Sequence, residues 1–413
     1  MGAQRVVITG MGAVSPYGEG CKALLTGLGA GQCALAPFDP REVAGLSCRV
    51  AGRVPPLDVR RISRELRRSM SPMSCHATLA AWEALAQAGL RHEADMPPVG
   101  VSIGSTLGGP AALQDFFAEY LGSGGMENVR TTTFFKVMGH TVASNVAMAC
   151  GARGRLLAPA AACASGLMAI GLGYECIAAG RERLMLCGGA DEFHALTVAT
   201  FDRMQAATPG EDPLRASLPF HRARQGIVVS EGAGVLLLES LDSALARNAP
   251  ILAEICGFAS QCSPGGIAAP QTDTMRNCME AALDDAALSP RDIALVNAHA
   301  TGTLAGDSAE GQAIAALFGP EGVAVNSLKG HMGHSLAASG ALESMACVDM
   351  LQHGYALPTL HLDDPDPACG ALGHVRALTP LPLRHCLKNA FALGGVYCSL
   401  VLRRWASAPT GRD

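Results

Sequence analysis

In APAAACASGLMAIG (158–171) a single thiol, Cys163, is surrounded by alanine, serine and glycine. Such small neighbours leave room beside the sulfur, which a nucleophile needs and a core cysteine does not. From Ala164 onward, Leu167, Ile170, Leu172 and Ile177 follow helical spacing, so Cys163 falls where a loop or strand passes into a helix. The unpaired N–H groups and dipole of a helix start favour a thiolate there and suit a developing oxyanion. Plain burial is the alternative: cysteine is among the most buried residue types, and this is one of 15 in the chain.

A nucleophile needs partners, and two later stretches offer them. VNAHATGTLAGDSAE (296–310) places His299 directly after an apolar strand, in a loop of small residues and threonines. VNSLKGHMGHSLAASG (325–340) places Lys329, His331 and His334 in a second such loop. One histidine at a strand end is commonly structural, but two in equivalent positions plus a cysteine at a third strand end suggest an active site at the carboxyl ends of strands. His331 and His334 have a spacing that permits metal binding, but no carboxylate or cysteine beside them completes a site, so no metal is expected. A cysteine peptidase would explain Cys163 and one histidine and leave the other histidine and the lysine without a task.

Positioning these residues takes strands and helices in alternation. RVVITGMGAVSP (5–16) reads as a buried strand and Gly-rich turn, and GCKALLTGLGAG (20–31) as a helix. ATLAAWEALAQAGL (77–90) reads as an amphipathic helix ending at Gly89, PVGVSIGST (98–106) as a strand, and RLMLCGGADE (183–192) as a strand and turn. After Pro250 the alternation restarts, which predicts two similar halves, 1–249 carrying Cys163 and 250–413 carrying His299, Lys329 and His334. The chain ends in a Gly-rich turn, a strand (386–404) and a polar tail at 406–413. The pattern predicts an α/β fold with mixed sheets covered by helices.

Composition narrows the function. The 413 residues are 49% hydrophobic and 16% charged, with a net charge of −5 and no basic block, which argues against nucleic acid. The densest basic run, DVRRISRELRR (58–68), reads as a solvated helix face or as a contact for an acidic carrier protein. The odd number of cysteines, with no CxxC, fits a reducing cytoplasm, and neither a signal peptide nor a membrane span is expected.

Taken together, VVITGMGAVSPYG, AACASG, CGGADE, EGAGVLLLE, NAHATGTLAGDSAE, KGHMGHSLAASGALE and NAFALGG make the chain resemble the β-ketoacyl-acyl-carrier-protein synthase family over nearly its whole length. MLQHGYALPTLHLDDPDP (350–367) leans towards the elongating, ketoacyl synthase I type. The resemblance implies a thiolase-like, layered α-β-α-β-α fold. It implies decarboxylative condensation of an acyl-ACP with malonyl-ACP, in fatty-acid or type II polyketide or polyene-like synthesis.

By the same resemblance, Cys163 would carry the acyl chain as a thioester, and its N–H with that of Leu393 would form an oxyanion hole. His299 and His334 would face the malonyl thioester. Lys329 would order the two histidines, paired with Glu310. Thr301 and Thr303 would bond the phosphopantetheine arm, with Phe391 and Leu393 at the acyl pocket. No bound cofactor is implied, since substrates ride on the phosphopantetheine of acyl carrier protein. A homodimer, or a heterodimer with a homologous subunit, is implied as well. TTTFFKVMGHTVASNVAMACGARG (131–154) is a candidate interface, its alternative being a buried core helix.

The chain departs from the family pattern at NAFALGGVYC (389–398), where the family usually reads Asn-Ser-Phe-Gly-Phe-Gly-Gly-Thr-Asn. Leu393 stands for the second Phe, which gates the nucleophile, and Val396-Tyr397 for Thr-Asn. An altered acyl preference is expected. The departures also keep open a partner subunit that shapes the pocket of an active relative, although retention of Cys163, Lys329 and both histidines points to a catalytic subunit.

Overall fold

The computed structural model describes residues 3–39, 45–91, 96–125, 127 and 129–406. Apart from Ala406, the polar tail lies outside the described residues. Ten strands carry the architecture. In the first half they are β1 (Val6–Ser15), β2 (Gly100–Gly104), β3 (Leu156–Leu157), β4 (Leu184–Asp191) and β5 (Gly232–Ser240). In the second they are β6 (Ala253–Cys262), β7 (Leu295–Asn297), β8 (Ala324–Asn326), β9 (His385–Ala392) and β10 (Val396–Arg404).

The first five lie in the order β3-β2-β4-β5-β1 and the second five in the order β8-β7-β9-β10-β6. Both halves thus use third, second, fourth, fifth, first. In each, the fifth strand runs antiparallel to its neighbours while the second, third and fourth are parallel. The halves join where β1 pairs antiparallel with β6, Val6 opposite Ile255.

Helices complete five layers. α1 (Pro72–Gln87) and α2 (Thr141–Cys150) cover the outer face of the first half. α3 (Ser165–Ala178) and α6 (Ala337–His353) pack on each other and touch strands of both halves, which makes them the central layer. α4 (Thr272–Asp285) and α5 (Leu304–Phe318) cover the outer face of the second half. This is the thiolase-like α-β-α-β-α arrangement.

The glycines and alanines are explained by how closely these layers approach. A Cβ on Gly12 of β1 would meet the Ala80 carbonyl of α1 at 1.8 Å, and one on Gly166 of α3 would meet the Ala337 carbonyl of α6 at 2.1 Å. Part of the small-residue character around Cys163 therefore serves helix packing rather than substrate access. Two sequence expectations change for the same reason. α1 spans Pro72–Gln87 and is buried along most of its length, so it is not amphipathic. The glycines of CGGADE continue β4 instead of turning, because a Cβ on Gly189 would meet the Ala337 carbonyl at 2.3 Å. The chain end is a hairpin, β9 and β10 joined at Leu393-Gly394-Gly395, where both glycines have positive φ.

The stretch 131–154 divides between its two readings. In α2, Val142, Ala143, Val146, Ala149 and Cys150 are core residues. The short helix before it, Thr131–Val137, leaves Phe134 and Phe135 about half exposed. In the basic run, Arg60 pairs with Asp58 and Arg61 with Glu19 at the surface. All 15 cysteines are free thiols. Among the described residues no helix is long and apolar enough to cross a membrane.

Candidate active site

β7, β8 and β9 are neighbouring parallel strands, and their carboxyl ends deliver His299, the Lys329–His334 turn and the Phe391–Leu393 hairpin to one place. The first half delivers Cys163, just before the start of α3. Ala162 precedes it with φ 47°, in the left-handed region that L-residues seldom occupy. The Thr106 hydroxyl donates to the Ala162 carbonyl at 3.2 Å and the Ser165 hydroxyl at 2.6 Å, which hold the turn that presents the thiol.

Cys163, His299 and His334 line one cavity of about 320 Å³, together with Thr301, Thr303, Phe391, Leu393 and Glu310. The two imidazole centroids are 5.1 Å apart, nearly perpendicular. His334 Nδ1 contacts the Ser339 hydroxyl at 3.1 Å. In the tautomer in which that hydroxyl donates to Nδ1, the Nε2–H is left as a donor, and no group among the described residues engages it. Thr301 and Thr303 hydroxyls lie 3.3 Å from each other on the wall. Phe391 packs edge-on against Tyr397, centroids 5.2 Å apart. Leu393 is 40% exposed at the mouth. His331 is buried to one side, outside the cavity lining. Among the described residues no three metal-ligating side chains converge.

The predicted pairing of Lys329 with Glu310 is not what forms. Lys329 Nζ lies 2.8 Å from Glu343 of α6, and both side chains are fully buried. Glu310 is occupied elsewhere. Its carboxylate accepts the N–H of His299 at 2.8 Å, the N–H of Ala300 at 2.7 Å and the Asn389 amide at 3.1 Å. It therefore clamps the His299 loop. Glu343 also meets Lys388 of β9 at 2.5 Å. The signals for this network were a lone glutamate in an apolar helix and a lone lysine in an apolar strand; sequence reasoning passed over both. It also missed Asp307, which accepts the Gly302 and Phe220 N–H groups and fixes the far side of the same loop.

Electrostatics follow from burial. The cavity pushes the Cys163 thiol up to about 12, the Asp191 carboxylate adding to the effect and Lys329 opposing it. Burial is the largest influence and holds the Cys163 thiol above its ordinary range, contrary to the expectation of an easily lost proton. Both histidines are held well below the ordinary imidazole range, by burial first and then by the Lys329 and Lys388 charges, so they are neutral at pH 7. Alkylation of Cys163 by iodoacetamide should accordingly rise about tenfold per pH unit from roughly pH 7 to 9, as the thiolate fraction grows. Peptide mapping would read it, and a plateau below about pH 8 would contradict it.

These parts can perform acyl transfer: a buried sulfur nucleophile and two neutral imidazoles that share one cavity with it, where their N–H groups can meet a developing anion. The layered fold and this site define the class, a thiolase-like condensing enzyme fold. The family model described as β-ketoacyl synthase, N-terminal domain, matches residues 3–244, and the C-terminal domain model matches residues 252–363. The chain belongs to the β-ketoacyl synthase family. It is 35% identical over 407 residues to nodulation protein E of Rhizobium meliloti (strain 1021), covering 97% of this chain and 99% of that protein. It is 33% identical over 416 residues to 3-oxoacyl-[acyl-carrier-protein] synthase 2 of Synechocystis, covering 97% and 98%. Among solved structures, a β-ketoacyl synthase from Burkholderia phymatum STM815 aligns with a TM-score of 0.93 at 38% identity, covering 98% of this chain and 100% of that one. The ishigamide ketosynthase/chain length factor aligns with a TM-score of 0.92 at 31% identity, with the same coverage.

Proposed function

We propose that this chain is a catalytic β-ketoacyl-acyl-carrier-protein synthase that condenses an acyl-ACP with malonyl-ACP. The observation that carries the reading is the shared cavity of Cys163, His299 and His334, with both imidazoles neutral and His334 Nε2 unengaged. Cys163 takes the acyl group from the carrier thioester, and the carrier thiol leaves with the proton. Malonyl thioester then loses CO₂, and the electron pair left behind is held as an enolate oxygen by the two imidazole N–H groups. The enolate carbon attacks the acyl-Cys163 carbonyl, whose oxygen faces the N–H groups of Cys163 and Leu393. Collapse breaks the C–S bond, releasing β-ketoacyl-ACP and the Cys163 thiolate. Thr301 and Thr303, whose side chains line the same cavity, bond the phosphopantetheine arm, and no resident cofactor takes part.

Product analysis tests this. Acyl-ACP plus malonyl-ACP should give one CO₂ per β-ketoacyl-ACP; transfer without CO₂ would contradict it. Alanine at His299 or at His334 should each slow malonyl decarboxylation by roughly 10²–10³-fold, the scale of removing one oxyanion donor. A loss under about fivefold for both would remove them from the mechanism.

A second reading is a partner subunit that shapes the pocket of an active homologue. It is favoured by the altered hairpin, Leu393 and Tyr397 in particular, and by the fold match to a ketosynthase/chain length factor. Phe134 and Phe135 offer an apolar patch for either a homodimer or a heterodimer, and a monomer at micromolar concentration would argue against both. At the mouth, Leu393→Phe should shift the acyl-chain preference, measured as kcat/KM across a series of acyl-ACP lengths. An unchanged series would show that Leu393 does not set it.

A further inference from the structure

Beneath the two histidines lies a buried charge network, and one member of it has no role in the condensing reading. Lys388 is fully buried in β9, five residues before the hairpin residue Leu393. Its Nζ donates to the Asn389 carbonyl at 2.6 Å and forms an ion pair with Glu343 at 2.5 Å. Glu343 binds Lys329 through its other oxygen. The Asn389 side chain donates to Glu310, and Glu310 holds the backbone of His299 and Ala300. The Ser399 hydroxyl of β10 donates to Asn389 Oδ1 at 2.9 Å and completes the frame. One lysine would suffice to balance Glu343. A buried ammonium is costly to remove from water unless it is paired and bonded, so a second one here calls for a reason.

Deepening the condensing reading, we propose that Lys388 is a positioning residue of the decarboxylating site: through Glu343 and Asn389 it ties the Lys329–His334 turn, the His299 loop and the Leu393 hairpin into one frame and places a second positive charge behind the two imidazoles. The groups facing this frame are Lys329 from the turn, Glu343 and Cys347 from α6, Glu310 and Asp307 from α5, and Cys163 and Asp191 from the first half. With both carboxylates ionised, the two lysines and two glutamates balance. Both lysine charges act on the His299 and His334 rings, and each lowers the affinity of both rings for a proton. The frame thereby keeps two neutral N–H donors available while an enolate charge develops beside them.

The test is the pH profile of malonyl-ACP decarboxylation, with parallel NMR titration of the labelled histidines. Lys388→Met leaves Lys329 and Glu343 as a neutral pair, so its fold is expected to survive. Lys388→Gln, which keeps a hydrogen-bonding amide, serves if the methionine variant does not fold. Removing the charge raises the imidazole pKa, so the acid limb of the profile should move up by about one pH unit, with the histidine titration moving in the same direction. Lys388→Arg retains the charge and should keep the wild-type limb. A packing role alone would lower the rate and leave the limb and the titration in place, and that result would overturn the proposal. If the wild-type chain released no CO₂ the condensing reading would fail, while the histidine titration would still decide whether Lys388 sets the imidazole charge.

Discussion

Cys163→Ala should abolish condensation while leaving the decarboxylating half of the site at work. The alanine variant has no nucleophile, so β-ketoacyl-ACP formation should fall on the order of 10⁴-fold or more, the scale of losing a covalent nucleophile. His299, His334 and the lysine–glutamate frame do not touch the sulfur by any hydrogen bond, so their geometry should persist. Cys163 is 5% exposed and sits at the cavity wall, where the loss of one sulfur is a small packing change. Malonyl-ACP should therefore still release CO₂, giving acetyl-ACP when the enolate takes a proton in place of the acyl group. Loss of both activities together in a folded variant would mean that the two half-reactions do not divide between Cys163 and the histidines as described.

Glu343→Leu should be the most damaging single change away from the cavity. It removes the only carboxylate that contacts Lys329 and Lys388 among the described residues and leaves two buried ammoniums without it. Breaking a buried pair costs about 3–5 kcal/mol, because the remaining charge is stranded. The pH dependence identifies the cause. Burial already lowers the Lys329 pKa and Glu343 opposes that effect, so without Glu343 the folded value falls further. The unfolded lysine keeps its ordinary value of about 10.4. The folded variant then binds fewer protons than the unfolded chain below that value, and its stability should rise with pH up to about 10. Denaturant unfolding of wild type and variant at about pH 7 and pH 9.5 measures this. A cost below about 1 kcal/mol, or a cost independent of pH, would contradict the stranded-charge account.

The sequence carried Cys163, His299 and His334 openly because each sits in a run of small residues, with His299 and the loop of His334 following apolar strands, a local signal that needs no knowledge of packing. It carried the doubled element order too, since alternation restarts after Pro250. It did not carry the partner of Lys329. Glu310 and Glu343 both lie on helices after the histidine loops, and the choice depends on how α6 crosses beneath β9, which is a tertiary fact. Glu310 is instead consumed by backbone N–H groups of its own loop. The thiol's resting state was misread for a related reason: the helix start is visible in the residues, while the depth of burial that pushes Cys163 up to about 12 is not. The glycines of β4 and α3 looked like turns and access; they are where the layers touch.

The most direct measurement is the intact mass of the wild-type protein after mixing with acyl-ACP, and again after malonyl-ACP is added, beside Cys163→Ala. The account predicts one acyl group on wild type only, lost on addition of malonyl-ACP as β-ketoacyl-ACP appears. An unmodified wild-type protein across all chain lengths would contradict a catalytic role for Cys163 and leave the partner-subunit reading in its place.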